Sequence, residues 1–310
     1  MRIVVLGAGA MGSLYGAYLS EDNEVIMIDK KPERVEAINA NGIVVKEEDG
    51  TERTFKNVKA YMVGEYTQKA DFVIIFVKTP RTEDAIRINR KVFSENTIVM
   101  TLQNGAGNDR KIEKYLDKRM VVVGTSKHNS TVLGPNTIKH SGHGMTTIGS
   151  NSGDNTSPER IKDVLIKAGF DAEVSDDIKR IIWSKLFVNI SINTFTAITR
   201  SPIGYMIEND YAWNFAEKLI CEAVDVAEAD GTYFSYRDVL NSVHHVCEDA
   251  GAGYSSMSQD VINHRLTEID NINGAIVSQA RHYNVAAPYN ALIVDLVHAI
   301  EGAYKYQEKK

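Results

Sequence analysis

The sequence predicts an α/β protein: an N-terminal Rossmann-type, doubly wound sheet domain followed by an all-helical C-terminal domain. Three observations carry that expectation. A β-branched run, Arg2–Leu6, leads directly into a glycine-rich stretch. Strongly apolar runs recur at Asp71–Val77, Asn96–Leu102 and Met120–Gly124, separated by polar turns and helical patterns. From residue 177 onward the apolar period becomes helical and no strand pattern returns. The polar stretch after Gly149 looks like a boundary, but residues 158–174 read as a helix and a short strand that close the sheet. The division therefore falls near Asp176, giving domains of residues 1–176 and 177–310.

The composition narrows the function classes. The chain has 310 residues, 43% hydrophobic and 25% charged, enough apolar material for two cores and too much for a disordered chain. Its 2 cysteines form no CxxC pair and no disulfide framework. A net charge of −6 with well-mixed signs excludes a general nucleic-acid or membrane-surface binder. Residues 3–19 resemble a signal peptide, but four glycines interrupt them, they are short for a membrane span, and no other run approaches that length. A cytoplasmic protein is expected.

Gly7-Ala8-Gly9-Ala10-Met11-Gly12 spells G-x-G-x-x-G between a strand and a helix. Gly7 permits the tight turn, Gly9 lets backbone approach a pyrophosphate, and Gly12 lets helix pack on strand. The helix start then offers free N–H groups and a positive dipole end to that anion. A second strand, Glu24–Ile28, ends at Asp29, 20 residues beyond Gly9. This context makes the motif a dinucleotide site rather than a plain turn. Asp29 would accept hydrogen bonds from a ribose 2′-OH and favours NAD. Lys30 and Lys31 could grip a 2′-phosphate or simply face water before the helix starting at Pro32.

Lys78 and Asn104 follow two later strands, at the sheet edge where ligands of open parallel sheets bind. Lys78 could equally be a solvated loop lysine, and Asn104-Gly105 a turn pair. In the helical half, segments 177–199, 209–230, 236–248, 256–283 and 288–303 are expected as helices, with Ser201-Pro202 and Gly231 as stops and Pro288 as a start. Lys185, Asn189 and Asn193 recur at i, i+4, i+8 and form a polar stripe on a helix otherwise apolar nearly all round. That stripe fits the lining of a wet or ligand-filled cleft, since a lysine among apolar residues needs a partner or cavity. Ser256, Asp260, His264 and Glu268 repeat by four on the fourth helix, a pattern that by itself reads as a solvated face. His244, His245 and Cys247 on one helix, and His140 and His143 in an expected turn, likewise read as solvated, so no metal is expected.

Taken together, GAGAMG, FVKT, LQNG, WSKLFVNISIN and SSMSQD…RLTEIDNINGAI resemble the ketopantoate reductase (2-dehydropantoate 2-reductase) family over nearly the full length. The last two blocks are far more specific than the glycine motif. The resemblance implies a Rossmann domain joined to a helical domain, with 2-ketopantoate reduced to (R)-pantoate by NADPH in the cleft between them. It implies Lys185 as general acid, Asn189, Asn193 and Ser256 as substrate contacts, and Glu268 as a site carboxylate. Lys78 and Asn104 would contact cofactor or substrate. NADPH-using members carry an arginine or similar base after the second strand, where this chain has Asp29 and Lys30. The cofactor is thus NAD(P)H, with Asp29 favouring NADH and the family favouring NADPH. NHRLTEIDNINGAI followed by Tyr283-Asn284-Val285-Ala286 is similar also to NAD-dependent D-2-hydroxyacid dehydrogenases acting on mandelate-like substrates. A dinucleotide-binding sensor without catalysis is a third reading, disfavoured because Lys185 and Glu268 are both present. The expected partner is a small 2-keto acid, with a homodimer possible and neither nucleic acid nor membrane involved.

Overall fold

The computed structural model describes residues 1–307, in two compact units: residues 1–103 with 108–178, and residues 104–107 with the chain from Lys179 onward. The first unit runs β1 (Arg2–Leu6), α1 (Ala10–Leu19), β2 (Glu24–Asp29), α2 (Pro32–Asn41), β3 (Ile43–Lys46), β4 (Glu52–Phe55), β5 (Val58–Met62) and β6 (Phe72–Ile75). It continues with α3 (Thr82–Ile88), β7 (Ile98–Thr101), α4 (Asn108–Glu113), β8 (Val121–Ser126), β9 (Asn129–Val132), β10 (Thr137–Gly142), β11 (Thr146–Gly149), α5 (Thr156–Lys167) and β12 (Ala172–Val174). The main sheet has the order β12-β11-β8-β7-β6-β1-β2-β5. It is parallel from β5 through β8, and β11 runs antiparallel to β8.

The strands with the most continuous apolar sequence, β1, β2, β6 and β7, lie in the middle and are buried, as strands covered on both faces must be. The chain builds outward from β1 through β2 to β5, then crosses to β6 on the other side of β1. The carboxyl end of β1 is therefore the switch point of the sheet, where such folds bind ligands.

A second, four-stranded sheet, β4-β3-β10-β9, was not expected from the sequence. Its strands are four to six residues long and only partly buried, so alternation is too brief to stand out. α1 packs against this sheet and against the main one, and seven of its ten residues are buried. His140 lies on β10, not in a turn, and it is buried together with His128.

The helical unit comprises α6 (Ile178–Val188), a π-helical turn (Asn189–Asn193), α7 (Thr194–Thr199), α8 (Tyr205–Glu208) and α9 (Asp210–Ala229). α10 (Tyr236–Ala250), α11 (Ser256–Ile262), α12 (Asn273–Tyr283) and α13 (Pro288–Gln307) follow. Residues 178–199 form one apolar helical run long enough to cross a membrane by length and composition, contrary to the sequence reading. Here Trp183, Leu186, Phe187, Ile190, Ile192 and Phe195 place it in the core of the unit. The Trp183 indole donates to Asp230 at 3.0 Å, Lys179 pairs with the same carboxylate at 3.1 Å, and the Tyr283 hydroxyl also donates to it. These contacts fix the rotation of α6.

The helix expected over 256–283 is broken between Ile262 and Asn273. No glycine or proline marks the break until Gly274; tertiary contacts impose it. His264 takes a left-handed φ of 51° and stacks on Tyr304 with ring centres 4.9 Å apart. Glu301 of α13 accepts from the Thr267 N–H at 2.6 Å and from its hydroxyl at 2.8 Å. The four-residue spacing of Ser256, Asp260, His264 and Glu268 is therefore not a helix face.

A buried carboxylate starts α13. Glu222 of α9 accepts from the Tyr289 and Asn290 N–H groups at 2.7 and 2.9 Å and from Asn290 Nδ2 at 2.8 Å. Removing it strands buried donors, each costing about 1–3 kcal/mol. Glu222→Ala should lower the stability of the helical unit by about 3 kcal/mol or more in urea unfolding, and Glu222→Gln by less.

Candidate active site

At the switch point the chain turns through Gly7 with φ of 103°. A Cβ there would lie 2.8 Å from the Val77 nitrogen, and a Cβ on Gly12 would overlap the Gly7 carbonyl oxygen. Both positions need glycine because backbone fills the space. Gly9 differs: a Cβ on it would meet nothing within 4 Å. Gly9 is also the N-cap of α1 and makes no side-chain cap, so the first N–H groups of the helix are left for a ligand. An anion fits this cradle, with Ala10, Met11 and Gly12 in the first turn and helix-dipole stabilisation of its charge.

Asp29 is buried at the end of β2, and it is already engaged. Its Oδ2 accepts from the Ala8 N–H at 2.9 Å and from Arg34 at 3.2 Å, and its Oδ1 accepts from the Lys31 N–H at 3.0 Å. The carboxylate thus ties the glycine turn to β2, and Oδ1 keeps lone-pair capacity for one more donor. Arg34 was missed in the sequence. The signal was available: Pro32 opens α2, which puts Arg34 in its first turn beside the strand end. Lys30 and Lys31 are exposed.

Lys78 is exposed beyond β6, just before a short helical turn at Thr79–Arg81. Gln103, also not singled out beforehand, braces this edge. Its amide donates to the Val77 carbonyl and to Thr82 Oγ1 at 3.0 Å, and its carbonyl accepts from Thr101 Oγ1 at 2.9 Å.

Every other candidate belongs to the helical unit, including Asn104, which sequence reasoning placed with the sheet loops. Asn104 Nδ2 donates to Glu268 Oε2 at 2.8 Å, joining residues 164 positions apart. Gly105, with φ of 94°, packs so tightly on Asn271 that a Cβ would overlap the Asn271 carbonyl oxygen. Lys185 lies half-buried in the last turn of α6. The π-helical turn that follows changes the phase of the expected stripe. Asn193 still reaches Asn189, donating to its Oδ1 at 3.4 Å. Ser256 is exposed in the first turn of α11, while its buried neighbour Ser255 caps that helix through the Ser258 N–H at 3.1 Å and meets Thr196 at 2.7 Å. Asn273 Nδ2 donates to the Ile190 carbonyl in the π turn at 3.1 Å.

A cradle of this kind, uncapped at a sheet switch point, holds the pyrophosphate of a dinucleotide, and the fold that carries it is that of the nicotinamide-dependent oxidoreductases, the class this chain falls in. Residues 3–153 match the family model described as ketopantoate reductase PanE/ApbA, and residues 177–301 match its C-terminal counterpart. The chain belongs to the ketopantoate reductase family. It is 32% identical to 2-dehydropantoate 2-reductase of Lactococcus lactis, over 98% of this chain and 99% of that one. Among solved structures it is similar to a D-mandelate dehydrogenase in ternary complex with NADH and anilino(oxo)acetate, with a TM-score of 0.87, 30% identity and coverage of 98% and 99%. It is also similar to a putative 2-dehydropantoate 2-reductase from Enterococcus faecalis, with a TM-score of 0.78, 31% identity and coverage of 97% and 98%.

The loop that carries Glu268 is clamped to α13 by an imidazole. His298 lies 2.9 Å from Asp270 Oδ1 and 2.9 Å from Glu301 Oε2, and hydrogen bonds to these carboxylates, Asp270 first, raise it above its ordinary value. A raised folded-state value means the clamp is fully present below about pH 6.5, the unfolded imidazole's range, and fades as pH climbs through the raised value. His298→Gln should therefore reduce the melting temperature at about pH 6 more than at about pH 9. An equal loss at both values would show that the clamp is not ionic.

Proposed function

We propose that the chain reduces the 2-keto group of ketopantoate to the hydroxyl of (R)-pantoate, with Lys185 as general acid. The observation that carries this reading is the Asn104–Glu268 hydrogen bond, which unites the LQNG and LTEID blocks in the unit that holds Lys185. The full-length similarity to 2-dehydropantoate 2-reductases supports it further. Gly7, Ala8, Gly9, Ala10, Met11 and Gly12 would hold the dinucleotide pyrophosphate, with Lys78 at the same sheet edge. A nicotinamide dinucleotide held there would supply the reducing equivalent, as hydride, for the keto carbon. As the C–H bond forms, the C=O π bond breaks and its electron pair collects on oxygen. Lys185 stabilises that charge as an ammonium and transfers a proton to it. Asn189, Asn193 and Ser256 orient the keto acid, and Glu268 with Asn104 holds the polar wall of the site.

Asp29 supports NADH as the preferred reductant. Its remaining lone pair on Oδ1 suits a ribose hydroxyl, and its charge opposes a 2′-phosphate. A second reading is favoured by one specific observation, the TM-score of 0.87 to the D-mandelate dehydrogenase complex. On that reading the same residues act on a bulkier 2-keto acid. A cytoplasmic location suits either substrate.

Rates with NADH and NADPH against ketopantoate, benzoylformate and 2-ketoisocaproate separate the readings. The proposal expects the highest kcat/KM on ketopantoate; a preference for benzoylformate would replace it with the second reading. Lys185→Ala should lower kcat by about 10²–10⁴ while dinucleotide binding is retained, and near-normal turnover would remove Lys185 from the acid role. Asp29→Ala should shift the NADH-to-NADPH ratio of kcat/KM toward NADPH by about tenfold or more, the worth of one charge-assisted hydrogen bond.

A further inference from the structure

The first unit contains a cluster of ionisable groups that reduction of a keto acid does not use. His128, between β8 and β9, His140 on β10, and His143 just beyond β10 each present a ring nitrogen, and these three atoms lie within 4.8 Å of one another. His128 Nδ1 and His140 Nε2 are 3.0 Å apart. His140 Nδ1 lies 2.9 Å from Glu47 Oε2, and His143 Nε2 lies 3.3 Å from the same oxygen. The Tyr18 hydroxyl of α1 donates to the other Glu47 oxygen.

The hydrogen-bond logic of this chain is directional. A carboxylate only accepts, so His140 donates to Glu47 through Nδ1 and turns an unprotonated Nε2 toward His128. His128 then donates through Nδ1, which leaves its Nε2 without a proton. That nitrogen is buried and has no hydrogen-bond partner, although His128 is only 8% exposed.

We propose that His128, His140 and His143 form a binding site for one divalent transition-metal ion of the Zn²⁺ type, with Glu47 as the carboxylate that orients His140. Three imidazoles suit Zn²⁺, and metal–nitrogen bonds of about 2.0–2.1 Å in a tetrahedral site put neighbouring ligand atoms about 3.3 Å apart. The 3.0 Å between His128 Nδ1 and His140 Nε2 is close to that edge; on binding, the Nδ1 proton of His128 gives way to the ion and the ring carries its proton on Nε2. The Glu47 contact to the far nitrogen of His140 is the outer-shell arrangement that fixes a ligand's tautomer. The His143 side chain is 61% exposed, which gives the ion a route in and leaves the fourth position to water. Bound there, the ion would cross-link the segment after β8, strand β10 and, through Glu47 and Tyr18, helix α1.

The test uses untagged, full-length protein stripped with a chelator and titrated with Zn²⁺ and with Co²⁺. The expected result is saturable binding of one ion per chain, intense visible absorption of tetrahedral Co²⁺, and a higher melting temperature with Zn²⁺. His143→Ala, an exposed change that should not disturb folding, is expected to weaken binding at least tenfold, and Glu47→Gln by about 10–100-fold. His244→Ala with His245→Ala should leave binding unchanged. Absence of saturable one-to-one binding would overturn the proposal, and so would affinity that survives His143→Ala while falling in the His244/His245 variant. Dinucleotide binding by each variant reports independently that the first unit is folded.

Discussion

The close approach of Gly12 to the carbonyl of Gly7 is the contact on which most of the first unit depends. Any side chain at Gly12 would overlap that oxygen, so only glycine lets α1 begin directly against the end of β1. The start of α1 then aims its N–H groups over the switch point of the sheet. The rest of the helix becomes the floor of a second sheet. Tyr15 stacks on Phe170 at 4.4 Å and shares hydrogen bonds with Ser126 at 3.2 Å and Thr146 at 2.7 Å. Tyr18 reaches Glu47, and through it His140. One steric constraint thus sets the anion cradle, the small sheet and the position of the histidine cluster together.

The parts of the fold legible in the sequence were those with strong local patterns. The central strands are continuous apolar runs, α9 and α10 begin and end within about two residues of where their apolar periods and stop signals put them, and α13 starts at Pro288 as expected but runs four residues further, to Gln307. The second sheet was not legible, because β3, β4, β9 and β10 are short and draw their pairing from residues far away, as in Thr137 against Val44. The break near His264 was hidden for a different reason: nothing local demands it, and Glu301 and Tyr304 from α13 impose it. At the candidate site, motif spacing pointed to Lys185 and strand-end position to Asn104; Arg34 was signalled by Pro32 at the start of α2, whereas Gln103 and Ser255 act through hydrogen bonds visible only in three dimensions.

The π-helical turn explains how a polar stripe persists inside an apolar core. Widening the helix at Asn189–Asn193 disturbs the regular ladder, and the Ile190 carbonyl finds other partners. It accepts from the Thr194 hydroxyl at 2.6 Å and from Asn273 at 3.1 Å. Asn273 in turn donates to Asn290 at 3.0 Å, and Asn290 is held by Glu222. This buried chain of amides and one carboxylate runs from the start of α13 to the turn that carries Asn189 and Asn193. Such a network adds little net stability over apolar packing; its hydrogen bonds fix the geometry of the turn, although Asn273 Oδ1 is left without a partner.

The same economy accounts for an acidic chain in a family whose cofactor and substrate are both anionic. With a net charge of −6, the bulk field cannot attract them. Short-ranged groups can supply attraction where the bulk field does not: the uncapped start of α1 offers N–H groups and a positive dipole end. Asp29 fits that scheme, since Arg34 and two backbone N–H groups compensate it in place. Its carboxylate therefore sits beside the glycine turn with its charge met by partners in place.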